Sequence, residues 1–543
     1  MSKFRPPQDI QFEDICDQLG EKIRQLFAVS DCSLSVEQKM DAYIWNLAKD
    51  FAGDKVSSQE TDFESLANGF KNSQIPLEPS DVGQYMEYLM EEIVPHSINV
   101  SSPRCMGNMT SSLPYFMKSL AKLLTCMNQN MVKTESSKVF TPYERQVLAM
   151  VHRLVYSLPE EFYDRIIQQC GKTLGVILSG GTQANIMALW CARNAALKPD
   201  NGFSGIGAEG LATALSFYGY KGAVVIGSSL MHYSFEKAAD LLGIGSNQLL
   251  RIPVIRDNHI DLKAVQDTIN ECRRRRLCVI ALVGVAGSTD IGSIDPLQNM
   301  ADIAHTANIH FHVDAAWGGG LLFSEKYRPR LRGIECADSV TIDGHKQLHL
   351  PIGVGMLLLR DPQLAQIISR QAHYILRQGS ADLGKYTLEG SRPSLSLFLH
   401  AALCIIGRKG YSWIIEESMS MAKYMANTIR DSSEFELLFE PETNILNYRY
   451  LGPAFKERSV RGQLTQSDQE RINQTNEHLH KAQRRAGNSL VSRTILVTTN
   501  YGQGVPIVSL RAVLGNPVIT KTDIDAVLED QIQIAAQLPE LQV

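Results

Sequence analysis

The sequence has no long apolar run, no cysteine framework and no large excess of charge of one sign. Its longest apolar run, residues 277–286, is about half as long as a membrane-spanning helix requires. Its ten cysteines include no CxxC pair, which argues against a disulfide scaffold and indicates free thiols in a reducing compartment. The first residues lack the apolar segment of a signal peptide. We therefore expect a soluble, cytoplasmic protein.

The charge balance gives no sign of a polyanionic partner. Fifty-three basic and 58 acidic residues leave a net charge of −5, so no overall positive field favours nucleic acid or an anionic membrane surface. The one basic run, residues 273–276, is typical of a solvated helix end. With 44% hydrophobic residues, the 543-residue chain has the composition of a globular protein of several domains.

Hydrophobic patterning divides the chain into three parts. Residues 1–100 are polar and acidic and predict a helical arm. Between residues 101 and 400, short apolar runs alternate with helical periodicity, which predicts an α/β domain with a mostly parallel sheet. Residues 401–543 predict a smaller α+β domain. In such a fold, ligands bind beyond the carboxyl ends of the strands.

A strand, a glycine turn and a helix start follow one another in GVILSGGTQANIMALW, residues 175–190. Gly181 and Thr182 would offer backbone N–H groups and a hydroxyl to a phosphate at the helix N-terminus. The alternative is a plain tight connection between strand and helix. A second glycine motif, residues 205–210, matches GxGxxG but follows a polar loop, which favours a flexible loop over a dinucleotide site.

Two further polar groups follow predicted buried strands. Asp314, in FHVDAAWGG, ends one strand, where a buried carboxylate needs a cationic or hydrogen-bonding partner. His310 and His312 would share a strand face with it, so an HxHxD metal site is an alternative to two partly buried histidines. Lys346, in TIDGHK, follows another strand, where a lysine can act as a nucleophile towards an aldehyde.

A phosphate cradle, a carboxylate and a lysine at one sheet edge are the three groups that pyridoxal 5'-phosphate requires. The cradle anchors the phosphate group, the lysine binds the cofactor covalently, and the carboxylate keeps the pyridine nitrogen protonated. His232 follows another predicted strand and could stack on the ring, whereas a core or capping histidine is the alternative.

The motifs resemble those of the group II pyridoxal-phosphate-dependent amino-acid decarboxylases, which are fold-type I enzymes. The resemblance extends from about residue 103 to residue 400 and returns near the C-terminus. It is carried by five segments: SGGTQAN (179–185), HYSFEKAADLLGIG (232–245), VGVAGSTDIGSIDPL (283–297), FHVDAAWGG (311–319) and TIDGHK (341–346).

The resemblance implies a set of cofactor-binding residues. Lys346 would be the covalent anchor, Asp314 the partner of the pyridine nitrogen and His232 the stacking residue. The remaining cofactor contacts would be Gly181, Thr182, Thr289, Ala316 and His345.

The resemblance also implies α-decarboxylation of an acidic amino acid. Segments 127–130, 140–156, 337–348 and 374–392 resemble the subgroup that converts L-aspartate to β-alanine, with glutamate, cysteine sulfinate and 2,4-diaminobutyrate as alternative substrates. Asn108, Thr110 and Arg511 occupy the positions of substrate-binding residues, and a cationic Arg511 suits a carboxylate. The proton donor to the α-carbon is commonly a loop tyrosine in this family; Tyr386, Tyr374 and His232 are the candidates here.

Three other expectations remain to be compared with the structure. The family is dimeric, so we expect a homodimer in which residues 1–100 form the dimerisation arm. A metal-dependent hydrolase that uses His310, His312 and Asp314 is the alternative from a different class of enzyme. An aminotransferase with the same cofactor is a nearer alternative, and it would release no CO2.

Overall fold

The computed structural model describes residues 19–20, 23–27, 31–50, 56–57, 63–370, 380–499 and 502–538. Internal contacts divide the chain into two compact units. The first contains residues 1–102 and 485–488, and the second contains residues 103–484 and 489–543. The described helices of the first unit are α1 (Asp31–Asp50), α2 (Phe63–Gly69) and α3 (Val82–Tyr88).

A seven-stranded sheet forms the centre of the second unit, and six of its strands are parallel. The order is β1-β7-β6-β5-β4-β2-β3, and β7 alone runs antiparallel to its neighbours β1 and β6. The strands are β1 (Gly175–Leu178), β2 (Gly222–Ser228), β3 (Leu249–Ile252), β4 (Leu277–Val285), β5 (His310–Asp314), β6 (Ser339–Asp343) and β7 (Gly355–Leu359).

Helices cover both faces of this sheet because its strands are apolar on both sides. On β2, Val224 and Ile226 belong to one buried cluster, while Ala223 and Val225 belong to another on the opposite face. The helices preceding and interleaving the strands are α4 (Met117–Met127), α5 (Thr134–Ser137), α6 (Phe140–Tyr156), α7 (Glu160–Ile166), α8 (Gly181–Ala196), α9 (Ile206–Tyr218), α10 (Ser234–Leu241), α11 (Leu262–Arg274) and α12 (Leu297–Ala307).

The C-terminal part is an α+β assembly around a second, antiparallel sheet of order β10-β11-β9-β8. Its strands are β8 (Phe435–Leu437), β9 (Ile445–Tyr450), β10 (Ser492–Thr499) and β11 (Gly502–Val513). Its helices, with the two that lead into it, are α13 (Ser396–Ile405), α14 (Gly407–Asp431), α15 (Gly452–Val460), α16 (Gln466–Ala486) and α17 (Lys521–Ala535). The predicted boundary at residue 400 stays a prediction.

One local expectation changes. The GxGxxG segment is not a flexible loop, because it opens helix α9, with a break at Gly210 (φ 83°). The charged stretch 456–487 is largely helical, as α15 and α16. No described helix combines the length and the apolar composition needed to cross a membrane.

Candidate active site

A cavity of about 390 Å³ lies at the carboxyl edge of the seven-stranded sheet. Strands β1, β2, β4, β5 and β6 all end at this edge, so the side chains that follow them converge there. All eight predicted cofactor contacts line the cavity: Gly181, Thr182, His232, Thr289, Asp314, Ala316, His345 and Lys346. Ser179, Gln183, Asn185, Trp317 and Asp343 are among the other lining residues.

The first turn of α8 forms one wall of this cavity. Gly180 has φ 132°, a region that favours glycine, and it lets the chain turn sharply from β1 into the helix. A Cβ on Gly181 would lie 2.8 Å from Oδ2 of Asp343, so glycine keeps the turn open. Backbone N–H groups at the start of a 16-residue helix attract an anion. This wall therefore has the shape and polarity of a phosphate site.

Lys346 also lines the cavity, just beyond β6. Its Nζ is 3.1 Å from Oδ2 of Asp343, the last residue of that strand. His345 Nε2 lies 3.8 Å from the same oxygen. The other oxygen, Asp343 Oδ1, is buried and has no hydrogen-bond partner among the described residues. The sequence motif pointed to the lysine, whereas Asp343 was not anticipated.

Asp314 is held by two donors. Nδ2 of Asn185 donates to Oδ2 at 2.9 Å, and the backbone N–H of Ala316 donates to Oδ1 at 3.1 Å. These bonds fix the carboxylate at the cavity wall although its residue is 93% buried. Asn185 is the last residue of the SGGTQAN motif, but its pairing with Asp314 had no separate signal in the sequence.

His232 lines the cavity near Asp314 and Lys346. Burial lowers the pKa of His232, and Asp314 opposes that effect. The lowered pKa favours the neutral ring, which suits stacking on a flat ligand better than it suits donating a proton.

The alternative metal site at His310, His312 and Asp314 does not form. Nε2 of His310 and Nδ1 of His312 both lie within hydrogen-bonding distance of Ser339 Oγ, at 2.8 and 2.9 Å. His312 Nε2 lies 3.1 Å from Oδ1 of Asn185. Both ring nitrogens of His312 are thus engaged, and no group of three His, Cys, Asp or Glu side chains in the described part of the chain could hold a metal ion. The ligand set that the hydrolase alternative requires is therefore not present among the described residues.

Tyr386, one of the three candidate proton donors, is not among the residues that line the cavity. Its side chain is buried in a cluster with Leu178, Met187 and Ile368, and its hydroxyl accepts a 2.6 Å hydrogen bond from Gln366. No motif in the sequence indicates this packing. The other loop candidate, Tyr374, lies outside the described residues. Of the three candidates, His232 lines the cavity.

The predicted substrate residues lie beside the cavity, not in its described lining. Arg511 on β11 is largely buried; its Nη1 donates to the carbonyl of Thr289 at 2.8 Å, and its Nη2 to that of Gly107 at 3.5 Å. Its Nε is buried without a hydrogen-bond partner among the described residues. Asn108 and Thr110 follow Gly107 and are half-buried. Arg511 thus connects the Thr289 turn to the segment that carries these two residues.

The residues of the cavity fit pyridoxal phosphate. A primary amine, a fixed carboxylate, an imidazole and a helix N-terminus surround one space of ligand size.

Residues 66–451 match the family model of the pyridoxal-dependent decarboxylase conserved domain. The chain is 40% identical to an aspartate 1-decarboxylase of Aliivibrio fischeri, over 95% of this chain and 94% of that one. It is 29% identical to an L-2,4-diaminobutyrate decarboxylase of Rhizobium meliloti, over 66% and 68% of the two chains.

The fold has a close counterpart among solved structures. The crystal structure of mouse CSAD superposes with a TM-score of 0.80 at 23% identity, covering 93% of this chain and 99% of that one. The predicted fold class, family and cofactor are confirmed. The chain belongs to the pyridoxal-dependent decarboxylase family and is a carboxy-lyase of fold type I that uses pyridoxal phosphate.

Proposed function

We propose that this enzyme removes the α-carboxyl group of L-aspartate and forms β-alanine and CO2. The observation that carries the proposal is the 40% identity to an aspartate 1-decarboxylase over nearly the whole of both chains. Glutamate, cysteine sulfinate and 2,4-diaminobutyrate are the alternative substrates. The relative named for 2,4-diaminobutyrate matches at lower identity and over about two thirds of this chain.

Arg511 is the residue that we propose for binding a substrate carboxylate. Its guanidinium is largely buried beside the Thr289 turn, and its Nε has no hydrogen-bond partner among the described residues. A carboxylate would satisfy that donor in a charge-assisted hydrogen bond. Asn108 and Thr110, next to Gly107, would complete the substrate contacts.

Different residues of the chain would hold different parts of the cofactor. The first turn of α8, with Gly181 and Thr182, would hold the phosphate. Lys346 would supply the amine that binds the aldehyde carbon and would release it to the substrate amine. Thr289, Ala316 and His345 complete the cavity wall.

Asp314 and His232 would contact the pyridine ring of the cofactor. Asp314, oriented by Asn185 and Ala316, would hold a proton on the pyridine nitrogen, and His232 would stack on the ring as a neutral imidazole. When bound, pyridoxal phosphate supplies an electron sink for the electron pair left behind by CO2. Orienting the α-carboxylate by Arg511 or its neighbours would favour loss of that group over other bonds of the substrate.

We also propose a cytoplasmic homodimer in which residues 1–100 form the dimerisation arm. The described first unit exposes large apolar side chains, among them Trp45 (65% exposed), Phe63 (83%) and Leu77 (95%), which favours their burial against another surface. Eight cysteines carry free thiols, as expected in a reducing compartment: Cys105, Cys126, Cys170, Cys191, Cys272, Cys278, Cys336 and Cys404. Light scattering should give twice the chain mass, and a monomer would contradict this proposal.

The decisive experiment is CO2 release from aspartate, glutamate, cysteine sulfinate, 2,4-diaminobutyrate and tyrosine by the purified holoenzyme. We expect aspartate to be the best substrate, β-alanine to be its product and Arg511→Gln to raise KM for aspartate. Lys346→Ala should lose both turnover and the absorption band above 400 nm. Equal turnover of tyrosine would contradict an acidic substrate, and amino transfer to a keto acid without CO2 would contradict decarboxylation.

A further inference from the structure

A row of hydrogen-bonded polar side chains, most of them buried, leads to Asp314. Its four hydrogen bonds join Asp314 Oδ2 to Asn185 Nδ2 (2.9 Å), Asn185 Oδ1 to His312 Nε2 (3.1 Å), His312 Nδ1 to Ser339 Oγ (2.9 Å), and Ser339 Oγ to His310 Nε2 (2.8 Å). The row joins helix α8 to strands β5 and β6, and it ends on the cavity wall at the carboxylate.

Every bond in this row has a fixed direction. A carboxylate only accepts, so Asn185 must turn its amide nitrogen to Asp314 and its oxygen to His312. His312 must then donate from Nε2. Burial lowers the pKa of His312 to about 3, so the ring carries a single N–H and Nδ1 must accept from Ser339. Ser339 in turn accepts from His310. All the donors therefore point towards Asp314.

Packing alone gives no reason for these polar groups. Asn185, His312 and Ser339 are each no more than 1% exposed, and His312 lies on β5 between the fully buried Phe311 and Val313. Burying polar side chains costs free energy unless all their hydrogen bonds are made, whereas apolar side chains at these positions would carry no such requirement. The row is fully bonded from Ser339 to Asp314.

We propose that His312 and Ser339 are positioning residues for cofactor binding, because they fix the Asn185 amide so that it donates to Asp314 and holds that carboxylate aimed into the cavity. The inference rests on the proposed role of Asp314 as the partner of the pyridine nitrogen. Without this orientation, the Asn185 amide could rotate and present its oxygen to the carboxylate, which would repel it.

The test compares the affinity of the full-length apoenzyme for pyridoxal phosphate in matched variants, by quenching of tryptophan fluorescence. Trp317 lines the cavity and provides the signal. His312→Leu removes the donor to Asn185 and should weaken binding at least about 10-fold. His312→Gln places an amide N–H near the position of Nε2, and it should keep the affinity within about 3-fold of wild type.

His152 provides the control. It is also fully buried, and it makes hydrogen bonds with Tyr163 and the Leu359 carbonyl away from the cavity. His152→Leu should destabilise the fold without weakening cofactor binding. If His312→Leu and His152→Leu change the affinity equally, or if His312→Leu leaves it unchanged, the inference is wrong.

Two measurements keep the test decisive if His312→Leu does not fold. Ser339→Ala removes one hydroxyl and should weaken cofactor binding by about 3- to 10-fold. In the wild-type holoenzyme labelled with 15N-histidine, NMR should show His312 as the neutral Nε2–H tautomer. The Nδ1–H tautomer would overturn the inference.

Asp314→Asn separates failure of the inference from failure of the proposed function. If Asp314→Asn leaves cofactor affinity and turnover unchanged, the proposed role of Asp314 fails and the inference fails with it. If Asp314→Asn impairs both while His312→Leu and Ser339→Ala impair neither, the inference alone fails.

Discussion

Lys346 and Asp343 form an ion pair across the β6 turn, with Nζ 3.1 Å from Oδ2. The side chain of Asp343 is only 3% exposed, and its other oxygen has no hydrogen-bond partner in the described part of the chain. The ammonium group of Lys346 is therefore the main compensation for a buried carboxylate. The amine proposed to bind the cofactor therefore also stabilises the wall of the cavity.

We predict that Lys346→Ala lowers the free energy of unfolding of the apoenzyme by about 1–3 kcal/mol, because it leaves the Asp343 carboxylate buried without its cation. Asp343→Asn in the same chain should restore at least half of that loss. A double-mutant cycle by urea denaturation measures the coupling. Lys237→Ala, at an exposed position, is the control. Additive effects of the two substitutions would contradict the prediction.

The glycine turn before α8 should tolerate no side chain at Gly181. A Cβ there would lie 2.8 Å from Asp343 Oδ2. We expect Gly181→Ala to weaken binding of pyridoxal phosphate at least about 10-fold, because the cradle must distort. Gly69→Ala is the matched control, since its Cβ would meet no atom within 4 Å. Fluorescence titration measures both, and equal affinities would disprove the steric argument.

The pair of Glu144 and Arg392 should contribute strongly to stability. Arg392 donates from both terminal nitrogens to the two oxygens of Glu144, at 2.9 and 2.5 Å, and Glu144 is fully buried. Glu144→Gln should cost about 3–5 kcal/mol because a buried guanidinium loses its counter-charge. Glu271→Gln, in an exposed pair with Arg274, should cost less than about 1 kcal/mol. Similar urea midpoints for the two variants would contradict this expectation.

The unfolding free energy should depend on pH through His259. A 2.6 Å hydrogen bond to Glu442 raises the pKa of His259 above its ordinary value of 6.5. A raised native pKa stabilises the fold below the unfolded pKa, and this stabilisation is lost as pH rises through the native pKa. Wild type should therefore exceed His259→Gln by more at pH 6 than at pH 8.5.

Urea denaturation at both pH values measures that difference. Asp295, whose pKa burial raises to about 6, and Asp257 face the same site in both proteins, so the comparison largely removes their contributions. A difference between wild type and variant that does not change with pH would contradict the assignment to His259.

Tyr386 should not be the proton donor. Its hydroxyl is bonded to Gln366, and burial raises its pKa to about 12. We expect Tyr386→Phe to keep kcat within about 2-fold and to lose about 0.5–1.5 kcal/mol of stability, the value of one hydrogen bond. Steady-state CO2 release and urea denaturation provide the two measurements. A fall in kcat of about 100-fold or more would return Tyr386 to the mechanism.

The sequence allowed prediction of those site residues that directly follow a recognisable strand. Lys346, Asp314 and His232 each follow a recognisable apolar run, and parallel strands bring their carboxyl ends to the same edge. Contacts between residues that are far apart in the sequence could not be predicted. Asn185 meets Asp314 across 129 positions, and nothing in a motif records that contact. Asp343 was missed because a carboxylate ending a strand next to the lysine gives no separate signal.

The direction of β7 was also not accessible from the sequence. An apolar run such as Gly355–Leu359 reads the same whether its strand runs with or against its neighbours. The hydrogen-bond partners of His310 and His312 could not be predicted for a related reason. Alternation placed both rings on one face correctly, but it could not show that Ser339, from the neighbouring strand, occupies their nitrogens.

The antiparallel direction of β7 has a mechanical consequence for Lys346. The chain leaves β6 and re-enters the sheet at the same edge, so the lysine stands in a short closed loop. The N–H groups of Gly344 and His345 donate to the Val354 carbonyl, at 2.9 and 3.2 Å, and close the loop at its base. Backbone displacement there would break both of these hydrogen bonds. The reach of the amine during turnover must therefore come from torsions of its own four-carbon side chain.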